Sequence, residues 1–433
     1  MLAEVFTACV GGSVLTGWAL FLKLSPFWIG VLGALPFIAQ LVQLPAASLT
    51  SWLGHKRAAV VAVAASRQVY LPLVLLPFLG LSLEAQQDLL IAVAAASGVL
   101  GVIGNNAWVM WMGELVPVPI RGRYFGKRSA LCILGGTVAS LGAGAGLDLG
   151  KADGRAGLAF AALALTGCIA GALTTVLMAR QHDPAPGASR VSPGLANALR
   201  PLRDPAARRV IAFQISWNLA IGVAAAFFSV HMLRNLHLGF TLIALYNAGV
   251  AAVRMLSAPA WGRAIDRVGT RPVLSVCCFG MALVPLLWLL PTPDRLWPLA
   301  VDCVLSGVLW CGQGLASFQL PLQVAPREGR PFYLATFATV GGIAFALASA
   351  AGGELIQHLP RQVSWHGYAF FGLHALFLIS AAGRLFSGWL GLCIVEPHAA
   401  PVRDLLALMR ESVRARVASW TGDEAPAAVT LKS

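Results

Sequence analysis

Apolar stretches of about twenty residues, the length an α-helix needs to cross the hydrocarbon core of a bilayer, recur along this chain from end to end. No other feature restricts the fold as much. In lipid only helices and closed barrels satisfy their own backbone polar groups, and runs this long read as helices. They are placed at Glu4–Leu22, Trp28–Leu49, Ala58–Leu79, Leu89–Met112, Ser129–Leu149 and Ala156–Ala179, then Val210–Met232, Phe240–Trp261, Pro272–Leu290, Trp297–Gln319, Phe332–Leu355 and Tyr368–Ile394. Signals are weakest in the third, interrupted by Arg67, and the fifth, diluted by glycine. Of 433 residues, 58% are apolar and 11% charged, against roughly 45–50% and about 25% in ordinary globular domains. A soluble enzyme, a secreted disulfide scaffold and a disordered chain are thereby excluded. The first stretch lacks a basic leader and an Ala-x-Ala exit, so it is expected to be a retained helix.

The net charge of +13 is spread between apolar runs rather than gathered in a stripe, so no nucleic-acid partner is expected. Cys9, Cys132, Cys168, Cys277, Cys278, Cys303, Cys311 and Cys393 all fall inside apolar stretches. With no Cys-x-x-Cys and no His/Cys cluster, they read as small buried hydrophobes, and neither a metal nor a cofactor is expected.

Orientation follows from the loops. One alternate set carries Lys56, Arg57, Arg121, Arg123, Lys127, Arg128, the six arginines from Arg180 to Arg209, Arg263, Arg267, Arg271, Arg327, Arg330 and the basic residues of the tail. The other set carries only Lys23, Lys151, Arg155, Arg234, Arg295 and Arg361. An even number of crossings with both termini in the cytoplasm is therefore expected. The longest internal loop, rich in Pro and Arg, divides the chain into a six-helix bundle at 1–180, a cytoplasmic linker at 181–208, a second six-helix bundle at 209–395 and a cytoplasmic tail at 396–433. Asp204-Pro205 reads as an N-cap and first helical residue. The tail places Leu405, Leu406, Met409, Val413, Val417 and Trp420 opposite arginines, either as an interfacial helix or as a short solvated one.

The halves repeat one another. At one constant offset Pro119, Gly122, Arg123, Phe125 and Gly135 fall on Pro326, Gly329, Arg330, Phe332 and Gly342. Such repeats mark carriers whose halves rock about a central site. The loop after span eight, Gly262-Arg263-Ala264-Ile265-Asp266-Arg267-Val268-Gly269-Thr270-Arg271, resembles the Gly-x-x-x-Asp-Arg-x-Gly-x-Arg signature of the major facilitator superfamily. That resemblance covers about residues 1–395 and implies an all-α polytopic fold of two pseudo-symmetric six-helix bundles. It also implies a cytoplasmic gate at Gly262, Asp266, Arg267, Gly269 and Arg271, in which the two glycines permit a reversal and Asp266 accepts from helix N–H groups or pairs with Arg267 and Arg271. In the matching N-half loop Ser51 and Trp52 stand where Asp and Arg would be, so that latch is degenerate.

The family's fold implies a mid-membrane cavity lined mainly by spans one, four, seven and ten. Asp302, Ser306, Trp310, Gln313 and Ser317 share one face of span ten. Gln214, Trp217 and Asn218 cluster in span seven, and Asn105 and Trp108 share a face of span four. Polar faces in lipid turn inward, toward a ligand or toward a neighbouring helix. Trp beside Asn and Gln suits a neutral or amphipathic organic solute. An anionic one would need the intramembrane cations Arg67, Arg254 or Arg384. Asp302 is the coupling candidate if protons drive transport, and uncoupled facilitated diffusion is the alternative. The function read here is secondary transport of a small organic solute by alternating access, through a monomer in a bacterial cytoplasmic membrane, with no covalent catalysis. A non-transporting sensor or assembly partner on the same scaffold is the rival.

Overall fold

The computed structural model describes residues 1–42, 53–116, 118–183, 201–326, 330–360, 362–365, 368–396 and 399–421. Among them eleven helices are long and apolar enough to cross a membrane. In chain order these are Leu2–Phe21, His55–Phe78, Leu83–Met112, Lys127–Ala152, Ala156–Ala179, Pro205–Asn235, Phe240–Val268, Thr270–Leu287, Trp297–Pro321, Thr336–His358 and Gly372–Leu392. The remaining expected segment, span two, is a helix at Pro26–Ile38 that tightens into a 3-10 turn at Ala39–Val42. Its expected end at Leu49, together with Ser51 and Trp52, lies outside the described residues.

Helix starts follow the local chemistry. Ser25 caps span two through its hydroxyl ahead of Pro26, and Ser82 accepts from Ala85 N at 3.3 Å ahead of span four. Asp204 Oδ1 accepts from Ala206 N at 2.9 Å with Pro205 as the first helical residue, the arrangement that its dipeptide predicts. The twelfth span differs from expectation. Tyr368–Phe371 pairs antiparallel with Gln362–Trp365, and the helix begins only at Gly372. A short aromatic run has high strand propensity, and periodicity alone does not separate a short strand from the first turn of a buried helix.

The core explains how the halves sit together. Toward the ends that carry few basic residues, one hydrophobic cluster runs through both halves and joins Trp18, Leu22, Leu73 and Phe160 to Phe227, Phe240, Trp288 and Phe377. Toward the basic ends there are two separate clusters. One comprises Ala58, Val63, Ala107, Trp111, Met112 and Met178, and the other surrounds Phe213, Trp261, Ile265, Leu274, Tyr333 and Phe337.

Contacts between halves gather in the same place. Span two lies along span eleven, where Ser349 donates to the Gly30 carbonyl at 2.8 Å and Gly353 abuts Pro26 and Phe27. A side chain at position 353 would collide with that backbone, so glycine is required there for close approach. Span five meets span eight through Asp148. Its carboxylate accepts from Phe240 N at 2.7 Å, Thr241 N at 2.9 Å and Thr241 Oγ1 at 2.7 Å, and so caps the first turn of span eight from the opposite half.

Candidate functional site

Where the shared core gives way to the two separate ones, a cavity of about 420 Å³ opens. Its walls come mainly from spans seven to ten and twelve, and Phe37 of span two and Phe345 of span eleven add a cross-half ring stack with centroids 3.6 Å apart. Asp302, 1% exposed, forms part of its wall. Ser306 donates to its Oδ1 at 2.9 Å, one turn along the same helix. Tyr246 OH of span eight and Trp288 Nε1 of span nine, the latter at 3.1 Å, donate to Oδ2. Three donors from three helices satisfy a carboxylate that would be costly in a membrane interior without them.

Arg384 of span twelve lines the same cavity at 2% exposure. Its Nη1 donates to the Met281 carbonyl at 3.0 Å, and its Nε has no partner among the described residues. Asp302 and Arg384 border the same cavity yet form no direct ion pair. A second cavity of about 210 Å³ lies between spans one, five and eight, and Asn247 borders both.

Asp302, Ser306 and Trp310, which helical spacing puts on one face of span ten, all border this cavity. The other candidates lie elsewhere. Trp217 is buried beside the cavity and meets Trp310 edge-on at 6.0 Å. Asn218 donates to the Gln214 carbonyl at 2.8 Å and packs against Gly341 of span eleven. Gln313, one turn beyond Trp310, donates to Ser317 at 2.8 Å. Asn105 is exposed on span four, and Trp108 carries the Arg128 guanidinium over its ring at 4.3 Å. Span four contributes nothing to the walls of the larger cavity. Tyr246, Asn247 and Trp288 were not foreseen. The Tyr-Asn pair inside the apolar run of span eight was the one available signal, whereas Trp288 is recruited only by tertiary packing.

Of the three intramembrane arginines, Arg254 is exposed, and Arg67 packs on Gly171 with its guanidinium 5.7 Å from the centre of the Phe6 ring. Only Arg384 reaches the cavity.

The loop after span eight turns at Gly269, whose φ of +91° suits glycine, whereas Gly262 lies inside the helix. Asp266 and Arg267 are exposed, and the helix N–H groups expected to bind Asp266 are taken by another acid. Glu396 accepts from Thr270 N at 3.0 Å and from Arg271 N at 2.7 Å. Ala400 N donates to the Val268 carbonyl at 2.9 Å, and the following helix, Val402–Thr421, buries Leu405 in the C-half core. The loop is thus tied to the segment that leads into the tail.

A family model described as Major Facilitator Superfamily matches residues 2–349 and 219–406. No curated protein matches. Among solved structures, the nucleoside transporter NupG aligns with TM-score 0.64 and 14% identity over 90% of this chain and 97% of its own. A D-xylose-proton symporter gives 0.66 and 14% over 92% and 97%. A bacterial homologue of the iron transporter ferroportin in an inward-facing state gives 0.66 and 15% over 91% and 96%. At these identities the likenesses establish the fold.

Proposed function

This chain belongs to the major facilitator superfamily and is a secondary transporter, and we propose that it carries a small organic solute by alternating access through the cavity around Asp302. Residues 1–180 and 209–395 act as the two rocking halves, joined by a cytoplasmic linker at 181–208. The basic loops and both termini face the cytoplasm of a bacterial cell, and the working unit is a monomer in the cytoplasmic membrane. In that orientation the shared core closes the outer side and the two separate cores leave the inner side parted, which corresponds to an inward-facing state. Protons couple to the solute through Asp302, with Gly269, Arg271 and the neighbouring Asp266 and Arg267 at the inner gate. Asn105, Trp108, Gln214, Trp217, Asn218 and Gln313 serve the helices around the pathway.

One observation carries this reading: a cavity of about 420 Å³ at the junction of the halves, lined by aromatic rings and bordered by a buried acid and a buried cation. Its size lies within the roughly 300–1,000 Å³ range of small-molecule sites, and the family match favours a carrier over a sensor. The test is uptake into proteoliposomes of a panel of sugars, nucleosides, amino acids and aromatic acids, with and without an imposed pH gradient. Selective, saturable uptake of one class is expected. Absence of flux for the whole panel, in protein shown to be folded, would refute it.

A further inference from the structure

Arg384 is the one intramembrane cation among the described residues that faces the cavity, and none of those residues fully occupies it. Burying a guanidinium without an ion-pair partner is costly, and an unpaired charge in a membrane interior marks a functional position. The Met281 carbonyl takes one of its N–H groups, and no other acceptor among the described residues sits on the rest. Asp302, the acid that borders the same cavity, is already engaged by Tyr246, Trp288 and Ser306 and makes no hydrogen bond or ion pair with it. The wall beside this pair is made of rings: Phe37, Phe228, Tyr246, Trp288, Trp310 and Phe345. Phe228 stacks with Phe377 at 4.6 Å and meets Trp288 edge-on at 4.9 Å, so these rings are held in place rather than free to fill the space.

We propose, building on the carrier reading above, that the solute is an aromatic monocarboxylate, its carboxylate bound by Arg384 and its ring held between Trp310 and the Phe37–Phe345 stack. A guanidinium presents a planar fork of donors that matches a carboxylate, which neither a hydroxyl nor an amide reproduces. Because Asp302 lines the same low-dielectric cavity, a second anion enters only if that acid takes a proton from water. The chamber then holds one cation, one bound carboxylate and one neutral acid, so each solute anion enters together with one proton. The other groups facing Asp302 are Tyr246 from span eight, Trp288 from span nine and Ser306 and Cys303 of its own span; Cys278 of span nine borders Arg384. Beyond Trp288 lies His231, with ring centroids 6.2 Å apart, and His231 in turn meets His374 at 5.2 Å.

The experiment uses naphthoate and its uncharged amide, naphthamide, with purified full-length protein and with proteoliposomes. Calorimetry in weakly buffered detergent solution is expected to show naphthoate binding at least tenfold tighter than naphthamide, with uptake of about one proton per naphthoate. In Arg384→Gln the preference for naphthoate over naphthamide should vanish. In Asp302→Asn naphthoate should bind at least as tightly as in the wild type, but without proton uptake, a signature that simple structural damage does not produce. Arg384→Lys, which keeps the charge and loses the fork, should retain part of the preference and controls for folding. Equal binding of acid and amide, or an unchanged preference in Arg384→Gln, would overturn the proposal. If a neutral solute crosses proteoliposomes while naphthoate neither binds nor crosses, the substrate class is wrong and transport stands. If naphthoate binds but no solute crosses, the carrier reading fails instead.

Discussion

Asp302 sits where three helices converge, and each of its bonds can be removed singly. Asp302→Asn keeps the shape of the side chain but carries no titrating proton, so pH-gradient-driven uptake should be abolished while exchange of solute across the membrane persists. Parallel measurement of both fluxes in proteoliposomes checks this, and undiminished gradient-driven uptake would remove Asp302 from coupling. Trp288→Phe leaves the carboxylate with two donors, and losing a hydrogen bond to a buried charged group costs about 1.5–3 kcal/mol. A lower melting temperature with the solute preference retained is the expected outcome, checked by thermal denaturation beside binding. The sequence made the span-ten half of this site legible because Asp302, Ser306 and Trp310 recur at helical spacing. It did not distinguish them from Asn218 and Gln313, which have the same local signature but face Gly341 and Ser317. Spacing shows that residues share a face; which neighbour that face meets depends on how the whole helix is rotated in the bundle.

At the level of elements, the loop between spans eight and nine shows a role passing from one residue to another. The motif puts an acid, Asp266, one turn before the reversal, but in this structure Glu396 from beyond span twelve caps the next helix. The Gly269 turn was legible because a positive φ strongly favours glycine. Glu396 was not, since its pairing crosses 126 residues of chain. Removing it by Glu396→Ala strips two backbone groups of their acceptor and should cost about 1 kcal/mol, the usual worth of a helix cap. Because Ala400 and Leu405 follow directly, the same change should loosen the tail, seen as faster proteolysis within Val402–Thr421. Asp266→Ala, at an exposed position without a described partner, should shift the melting temperature little, within the ~0.5 kcal/mol expected of surface changes. If the two variants exchange these effects, the motif acid is the working cap and the structural assignment fails.

Across the whole molecule, one core serves both halves at one end and two cores divide them at the other, so the halves can separate only by breaking the shared end. Part of that end is apolar burial, which is nondirectional, and part is the directional bond from Asp148 to the first turn of span eight. If the halves part at this end, as the proposed alternating access requires, Asp148 would be free to be hydrated, so its three accepted bonds would favour the packed state alone. An acid at a helix N-terminus contributes up to about 2 kcal/mol in partly buried geometries, and about 1.4 kcal/mol is a tenfold change in an equilibrium. Asp148→Ala should therefore shift the population roughly tenfold toward a state open at this end. Spin labels at Arg155 and Asp294, exposed positions on opposite halves, would report it as a longer-distance population. Asp153→Ala, in the same loop region but with no side-chain bond across the halves, should leave the distance distribution unchanged. If both substitutions leave it unchanged, the carboxylate does not govern the closed state, and the apolar contacts of spans two and eleven around Gly30 and Gly353 must hold that end by themselves.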